Sequence, residues 1–373
     1  MLRTSRHTLS TAPAPDLQRF FDVQPVASAG WLGSDCATSL PGAAPKSETL
    51  WVFQDTLVGA FDGAIRDTQC MPHNSLGRMH RRDGPITGLQ HLLRGECTGT
   101  NASANGFFFP PDPKQFYWVE TGARTSAGAL HLFAQRMAPP CGIGCTQHGI
   151  DLISATEEST WTFSTQEVPG WEPGVSWPTA IGEAGPQLYL LGYLDRAPGR
   201  RSAILGRMRR DDLGARWNSL RFWCENATGA GGRGWLPLPA GGMHDLAPRL
   251  VALFDDAPPE TSLDYSEALR QWFVLSIGFR QPQLVIRLAD APTGPWSAPT
   301  VLYNITAPWV SSQSGAFSYS PKHHRELSRA DGGANETLII TFMSNGPAAV
   351  VARTPQLYVP QVLRTRVLRE GGR

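Results

Sequence analysis

Strand signals are frequent along this chain and helix signals are scarce. Glycine and proline, 38 and 31 of the 373 residues, leave few windows long enough for a helix of about a dozen residues. The pattern predicts a mostly β protein, with one short helical piece around residues 263–270. Strands are predicted at residues 49–55, 115–120, 130–135, 187–193, 203–208, 249–254, 271–277, 283–287 and 337–343.

The strongest of these strands recur at wide intervals. They begin near Leu50, Phe116, Leu188, Trp272 and Leu338, a spacing typical of propeller blades that carry loop insertions. We therefore predict an all-β fold, a five-bladed β-propeller, as a single domain over residues 25–365. Residues 1–24 are expected to be an N-terminal extension or leader remnant, and residues 366–373 a C-terminal tail. A β-sandwich or jelly roll is the main alternative, but either is normally complete in fewer residues.

Composition and charge exclude some classes of partner. The chain is 41% hydrophobic and 17% charged, so it can bury a large core. Its net charge is +1 and its basic residues are scattered, which predicts no nucleic-acid partner. The longest apolar run, residues 188–194, is too short to cross a bilayer, so no membrane span is predicted. The sequence does not indicate an oligomeric state.

Cysteines and glycosylation motifs together favour the secretory route. The six cysteines are Cys36, Cys70, Cys97, Cys141, Cys145 and Cys224, and acceptor motifs begin at Asn101, Asn226, Asn304 and Asn335. The first ten residues contain no apolar leader, and they are also compatible with an organelle transit peptide. The favoured interpretation is a secreted or extracellular protein whose leader is not visible in this chain.

Two cysteine groups suggest covalent or metal links. Cys36 and Cys70 flank the first strong strand and can form a disulfide, although six cysteines allow 15 pairings. Cys141, Cys145 and His148 have zinc-like ligand types, but no second pair with matching spacing follows. A disulfide between Cys141 and Cys145 is therefore favoured over a metal site, and neither a metal nor a cofactor is predicted.

Candidate chemistry begins with two acids near the start of the chain. The strand at residues 49–55 runs directly into Asp55, and Asp35 precedes it by the length of one hairpin. The sequence has no Gly-x-Ser-x-Gly elbow, Walker loop or His-Glu-x-x-His motif. These absences argue against serine hydrolases, nucleotide-dependent enzymes and zincin metalloproteases.

Trp51-Val-Phe-Gln-Asp-Thr56 resembles the Trp-Val-Phe-Gly-Asp-Thr signature of a family of five-bladed propellers that includes bacterial endo-D-arabinanases. Gln54 stands where that signature has glycine. Further segments resemble the family in the same order over roughly residues 25–365, and they begin at Asn74, Trp177, Ala291 and Tyr319. The resemblance implies a five-bladed propeller and a secreted glycoside hydrolase that cleaves a polysaccharide containing arabinofuranose.

Glycoside hydrolysis requires two carboxyl groups beside the scissile bond, one protonated and one ionised. By similarity to related five-bladed glycosidases, Asp35 is predicted to be the ionised base or nucleophile. Asp55 is the next candidate and can instead orient Asp35 or the sugar. The candidates for the general acid are Asp245 and Glu183, followed by Glu120.

A polysaccharide or oligosaccharide substrate also needs flat apolar faces and hydrogen-bonding groups. The predicted sugar-packing residues are Trp118, Trp177, Tyr265 and Tyr319, while Asn74 and His323 are predicted to bind hydroxyls. Two other classes remain open: a non-catalytic carbohydrate-binding or protein-interaction propeller, and a structural domain with a plugged funnel. Two carboxylates that converge on one pocket would favour the enzyme.

Overall fold

The computed structural model describes residues 2–3, 7–43, 48–81, 85–94, 106–141, 145–156, 161–197, 200–215, 217–225, 232–278, 281–306, 315–331 and 335–369. These residues form an all-β structure with three short α-helices. The helices are α1 (Pro15–Gln18), α2 (Gly242–Leu246) and α3 (Ala348–Arg353), and 3₁₀ turns occur at Arg210–Asp212 and Ala247–Arg249.

Twenty-six strands are assigned within the described ranges. The first thirteen are β1 (Leu2–Arg3), β2 (His7–Pro13), β3 (Val26–Ser34), β4 (Ala37–Pro41), β5 (Glu48–Phe53), β6 (Thr56–Phe61), β7 (Arg66–Cys70), β8 (Ser75–Arg81), β9 (Ile86–Leu92), β10 (Phe116–Arg124), β11 (Leu130–Ala138), β12 (Thr146–Thr156) and β13 (Thr162–Glu167). The others are β14 (Val175–Ala184), β15 (Gln187–Ala197), β16 (Arg200–Arg209), β17 (Arg221–Glu225), β18 (Arg233–Pro237), β19 (Ser262–Ser266), β20 (Gln271–Ile277), β21 (Gln283–Ala289), β22 (Thr300–Asn304), β23 (Phe317–His323), β24 (Arg329–Asp331), β25 (Asn335–Asn345) and β26 (Gln361–Arg369).

The strands form six antiparallel sheets. Sheet 1 has the order β4-β5-β8-β9, sheet 2 β10-β11-β12-β13, sheet 3 β14-β15-β16-β17-β18 and sheet 4 β19-β20-β21-β22. Sheet 5 has the order β1-β2-β26-β25-β23, with β24 also paired to β25, and a small sheet consists of β3-β6-β7. Most connections join sequence neighbours, which is the arrangement that hairpins produce.

Five inner strands, one from each of sheets 1 to 5, surround a common centre. They are β4, β10, β14, β19 and β23, and each contacts the next, with β23 returning to β4. Residues from all five line one pocket. Side chains from distant parts of the sequence can therefore lie around a single channel.

Hydrophobic clusters fill the space between neighbouring sheets. One cluster joins sheets 1 and 2, another joins sheets 2 and 3, and three more join sheets 3 and 4, 4 and 5, and 5 and 1. Each sheet therefore has apolar side chains on both faces, since side chains alternate between faces along a strand. Trp51, for example, packs towards sheet 5, whereas its neighbours Leu50 and Val52 pack towards sheet 2.

Sheet 5 is built from both ends of the described chain. Strand β2 pairs with β26 from His7↔Arg369 to Pro13↔Leu363. Parts of the predicted N-terminal extension and C-terminal tail therefore lie in the same sheet as β23 and β25. The domain boundaries themselves stay a prediction.

Eight of the nine predicted strands coincide with observed strands, and two local predictions are wrong. Residues 249–254 contain one isolated bridge, at Leu250, because the 3₁₀ turn Ala247–Arg249 redirects the chain before a ladder can form. Residues 263–270 are not helical: they contain most of β19 and a turn. Leu263 packs between sheets 3 and 4, where a strand rather than a helix covers the apolar surface.

The cysteine predictions have mixed outcomes. Cys141 and Cys145 form the favoured disulfide. Cys70 is also disulfide-bonded, but Cys36 is a buried free thiol that accepts a hydrogen bond from Ser320 Oγ at 3.1 Å, so the Cys36–Cys70 pairing is wrong. Cys97 and the acceptor sites Asn101 and Asn226 lie outside the described residues. None of the helices in the described part of the chain has the length and apolar character needed to span a membrane.

Candidate active site

Asp35 lies in the short connection that leads into inner strand β4. Its backbone N–H donates to the Asp55 carbonyl at 2.7 Å, and the Gln54 N–H donates to the Asp35 carbonyl at 2.9 Å. The Cys36 N–H donates to Asp35 Oδ1 at 2.8 Å. These bonds join the β3–β4 and β5–β6 connections and fix the half-buried Asp35 carboxyl at the start of the inner strand.

Asp55 is held against sheet 2. Its Oδ1 accepts a hydrogen bond from Trp118 Nε1 at 3.0 Å and lies 2.7 Å from His73 Nδ1. The side chains of Asp55 and His73 are each 14% exposed. Two partners on one oxygen fix the orientation of the Asp55 carboxylate beside His73 and Trp118. Together with burial, the charge of Asp55 raises the pKa of Asp35.

Glu120 projects from the middle of inner strand β10. A bulge between Val119 and Thr121 interrupts the strand at this residue, and bulges often redirect a side chain towards a site. Its Oε1 accepts a hydrogen bond from Gln54 Nε2 at 3.1 Å, whereas its buried Oε2 has no partner among the described residues. Gln54, which stands where the related signature has glycine, thus holds one of the buried acids.

Glu260 is a third acid at this centre, and the sequence did not point to it. It directly precedes inner strand β19, much as Asp35 precedes β4, and it interacts electrostatically with Asp35 and Glu120. Its position before a strand was the available signal, but the predicted helix at residues 263–270 concealed it. We call Asp35, Glu120 and Glu260 the acid cluster.

The three carboxyl groups hold their protons more tightly than isolated carboxyls. Burial, together with the charges of Asp55 and Glu120, raises the pKa of Asp35 to about 7. Burial also raises the pKa of Glu120 to about 7, and burial with the charges of Asp35 and Glu120 raises the pKa of Glu260 well above its usual value. Because like charges in one site repel, the cluster cannot readily ionise at all three positions.

Lys322 is the cation beside the acid cluster. Its side chain is buried, and Nζ donates to the Thr179 carbonyl at 3.2 Å and to the Glu120 carbonyl at 3.5 Å. These contacts link inner strands β23, β14 and β10. The positive charge of Lys322 lowers the pKa of both Glu120 and Glu260, in opposition to their burial.

Two tyrosines complete the surroundings of Asp35. Burial and the charge of Asp35 raise the pKa of both Tyr319 and Tyr358 well above the usual value. The Tyr319 hydroxyl faces Asp35 and lowers its pKa, yet it has no partner of ordinary hydrogen-bond geometry among the described residues. A buried hydroxyl with spare bonding capacity is suited to contact a ligand at this centre.

Arg66 holds the loop that carries Tyr358. Its guanidinium is buried and donates to four carbonyls. The acceptors are Val351 at 2.7 Å, Thr354 at 3.2 Å, Pro355 at 2.7 Å and Leu357 at 2.8 Å. A strand of the small sheet thereby fixes the segment between α3 and β26 next to the acid cluster.

A second group of charges lies beyond Lys322, around an axial pocket of about 110 Å³ that later residues of the inner strands line. Glu183 is here, and it accepts from Arg210 at 2.8 Å and from Arg325 at 3.1 Å. His323 Nδ1 lies 2.7 Å from Asp264 Oδ2. Although burial raises the pKa of Asp264, its bonds and charge contacts with His323 and Arg325 lower the net value to about 2.

Several predicted site residues are not brought to the acid cluster. Asp245 is exposed on α2, and Glu183 and His323 line the axial pocket instead. Asn74 is buried and bonds the backbone of Phe108 and Tyr117, which uses its side-chain amide for internal bracing.

The predicted aromatic residues divide in the same way. Trp177 is only 1% exposed and packs edge-on against Phe222 in the core, so it cannot serve as a sugar platform. Tyr265 packs against Trp272. Trp118 and Tyr319 remain beside Asp55 and Asp35. Among the described residues, no group of three metal-ligating side chains has the geometry to hold a metal ion.

The chain belongs to the family described as a domain of unknown function, DUF5005, which it matches over residues 18–354. No curated protein matches its sequence. Among solved structures, it is similar to a Bacteroides ovatus ATCC 8483 protein described as a "putative hydrolase", with a TM-score of 0.68 and 14% identity over 98% of this chain and 93% of that one. It is also similar to a variant of B. subtilis levansucrase, with a TM-score of 0.51 and 11% identity over 94% and 87% of the two chains. At these identities the likeness concerns the fold.

Proposed function

We propose that the protein is a glycoside hydrolase that cleaves a polysaccharide at the acid cluster. The observation that carries the proposal is the convergence of Asp35, Glu120 and Glu260, which the connection before β4, strand β10 and the segment before β19 supply. Two converging carboxyls are the minimum for glycoside hydrolysis, and a purely carbohydrate-binding propeller needs none with a raised pKa. Asp35 and Glu260 are half-buried rather than fully enclosed, which is compatible with substrate access.

The fold that we propose is a five-bladed β-propeller, with sheets 1 to 5 as its blades. Its support is the ring of contacts among the five inner strands and the five hydrophobic clusters between neighbouring sheets. Glycoside hydrolases of propeller fold are among the solved structures that resemble it. We take the domain to extend over residues 25–365, with strand β2 contributed by the preceding segment.

The proposed roles rest on the surroundings of each acid. Glu260, whose pKa is raised well above its usual value by burial and by the charges of Asp35 and Glu120, is the proposed general acid that protonates the leaving oxygen. Asp35 is the proposed base or nucleophile, which Asp55 orients from the adjoining connection. Glu120 carries the third charge, and its ionisation keeps Glu260 protonated.

The resemblance in the first sheet supports a substrate that contains arabinofuranose. Trp118, which is half-buried and bonds Asp55, and the Tyr319 hydroxyl, which is buried without a bonded partner beside Asp35, are the proposed sugar contacts. Secretion is part of the same proposal. The Cys141–Cys145 disulfide supports it, as does the exposed acceptor residue Asn304 at the end of β22.

The decisive experiment is a turnover assay of Asp35→Asn and Glu260→Gln on arabinans and a panel of other polysaccharides. Each variant is expected to lose at least a hundredfold in kcat, because each removes one of the two essential proton-transfer groups. Glu260→Gln should regain most of its activity on aryl glycosides whose leaving group needs no protonation. Added azide should rescue Asp35→Asn, because the anion replaces either the missing carboxylate nucleophile or the water that the carboxylate activates.

Asp245→Asn is the matched control, since it makes the same change at an exposed acid outside the cluster. Its turnover should equal that of the unaltered protein. If folded Asp35→Asn and Glu260→Gln both turn over substrate at the normal rate, the hydrolase assignment fails. If the unaltered protein binds a glycan but turns over none of the substrates, the carbohydrate-binding alternative is supported instead.

A further inference from the structure

An arginine-rich groove of about 650 Å³ lies apart from the acid cluster. Five arginines line it: Arg19, Arg81, Arg329, Arg364 and Arg366. The turn after α1, the end of β8 and strands β24, β25 and β26 contribute its walls. None of the acid-cluster residues lines this arginine groove.

Strand register places two of the arginines on either side of the same residue of β25. Thr337 on β25 pairs with Arg329 on one side and with Arg366 on the other. All three line the groove, so the guanidinium groups reach the same face from strands about 10 Å apart, which is two interstrand spacings. Arg364 is two residues before Arg366 and therefore faces the same way.

The positive charge of the groove is only partly neutralised. Asp16 and Glu326 are the two acids in its lining, and Arg364 is paired with Asp16 at 2.7 Å. Arg19, Arg329 and Arg366 are exposed and have no hydrogen bond or ion pair to another side chain in the described part of the chain. The arginines also repel one another, since burial and the charge of Arg329 both lower the pKa of Arg81.

The shape of the groove favours an extended ligand over a single small anion. A volume of about 650 Å³ falls in the range of sites that hold whole ligands. Phe20 and Ile86, both half-buried, supply apolar surface beside the cationic groups, and Arg19 lies 4.8 Å from the centre of the Phe20 ring. Alternating apolar faces and planar cation forks match a sugar chain that bears carboxylates.

We propose that the arginine groove binds an acidic, carboxylate-bearing oligosaccharide at a site distinct from the acid cluster. Arg329 and Arg366 bind carboxylates on successive parts of the chain, and Arg19 contacts a further one. Phe20 packs against a sugar ring between them. The groove would hold an acidic part of a polysaccharide whether or not the acid cluster cleaves it.

The test is calorimetric titration of the folded protein with an oligogalacturonate of defined length. Binding is expected, and it should weaken several-fold between 50 and 300 mM NaCl because exposed charges are screened. The double variant Arg329→Gln/Arg366→Gln should bind at least tenfold more weakly. The matched control Arg209→Gln/Arg233→Gln makes the same charge change at two exposed arginines of sheet 3 and should bind normally.

Three further titrations separate this ligand from others. A neutral arabino-oligosaccharide should not bind the groove, and 10 mM inorganic phosphate should not displace the oligogalacturonate. A single-stranded DNA of equal charge should bind more weakly. Absence of oligogalacturonate binding, unchanged binding by the double variant, or equal binding of DNA would overturn the proposal.

The outcome is distinguishable from that of the hydrolase proposal. Asp35→Asn should retain oligogalacturonate binding, while Arg329→Gln/Arg366→Gln should retain turnover of small neutral aryl glycosides. Thermal unfolding of each variant shows whether lost binding reflects lost folding.

Discussion

Replacement of Asp35 by asparagine should stabilise the protein, and the gain should grow with pH. Asp35 titrates at about 7 in the folded protein, whereas an exposed aspartate titrates near 4. Its folded-state pKa is raised, so the unfolded chain loses this proton first and the stability of the fold falls as pH rises from about 4 to about 7. Treated as one site, Asp35 costs about 1 kcal/mol at pH 5 and about 4 kcal/mol at pH 8 relative to a neutral side chain.

Asparagine removes this cost while keeping an oxygen that can accept the Cys36 N–H. Urea unfolding at pH 5 and pH 8 measures the difference, provided that the m-value is the same for both proteins. The advantage of Asp35→Asn should increase by about 3 kcal/mol between the two pH values. Asp245→Asn, at an exposed acid, should have no such increase. An advantage that is equal at both pH values, or a variant less stable than the unaltered protein at pH 8, would refute the reasoning.

Three further predictions concern groups around the site and in the first sheet. Arg66→Met removes the donors to four carbonyls. It should lower the free energy of unfolding, measured in urea, by about 3 to 5 kcal/mol, and it should raise KM in kinetic assays. An Arg66→Met protein of unchanged stability would contradict the bracing role. Burial raises the pKa of the Cys36 thiol, and it raises that of Cys224 to about 11, so neither should react with Ellman's reagent at pH 8 until urea unfolds the chain; rapid labelling of the native thiols is the opposing result. Burial also lowers the pKa of His91, which stacks on Trp31 at 4.2 Å, to about 3. The stability that neutral His91 contributes is therefore present above pH 6.5 and lost as pH falls towards 3. At pH 4.5 the His91→Phe protein should avoid a loss of about 3 kcal/mol in the free energy of unfolding, measured by acid unfolding. The same acid unfolding curve for both proteins would contradict this role of His91.

The strands of the first sheet could be predicted because buried strands consist of consecutive apolar residues, which a short stretch of sequence shows directly. Both faces of sheet 1 are covered, so Leu50, Trp51, Val52 and Phe53 form one continuous apolar run. Asp35 could be proposed from its position one hairpin before the first strong strand, together with the resemblance to five-bladed glycosidases.

The rest of the site depends on contacts between residues far apart in sequence. Glu260 belongs to the acid cluster only because sheet 4 lies opposite Asp35, and no short window records that neighbourhood. Glu183 follows a motif that resembles the family, but it lies near the far end of β14 and therefore faces the axial pocket. Tyr358 reaches the site through a loop whose shape Arg66 determines from a different sheet.

The pairing of β2 with β26 has a consequence for synthesis of the chain. A nascent polypeptide can finish sheets 1 to 4 hairpin by hairpin, whereas residues 7–13 cannot pair with residues 361–369 until that last described strand has been synthesised. Sheet 5 is therefore completed last, and until then one edge of β2 is open to pairing with other chains.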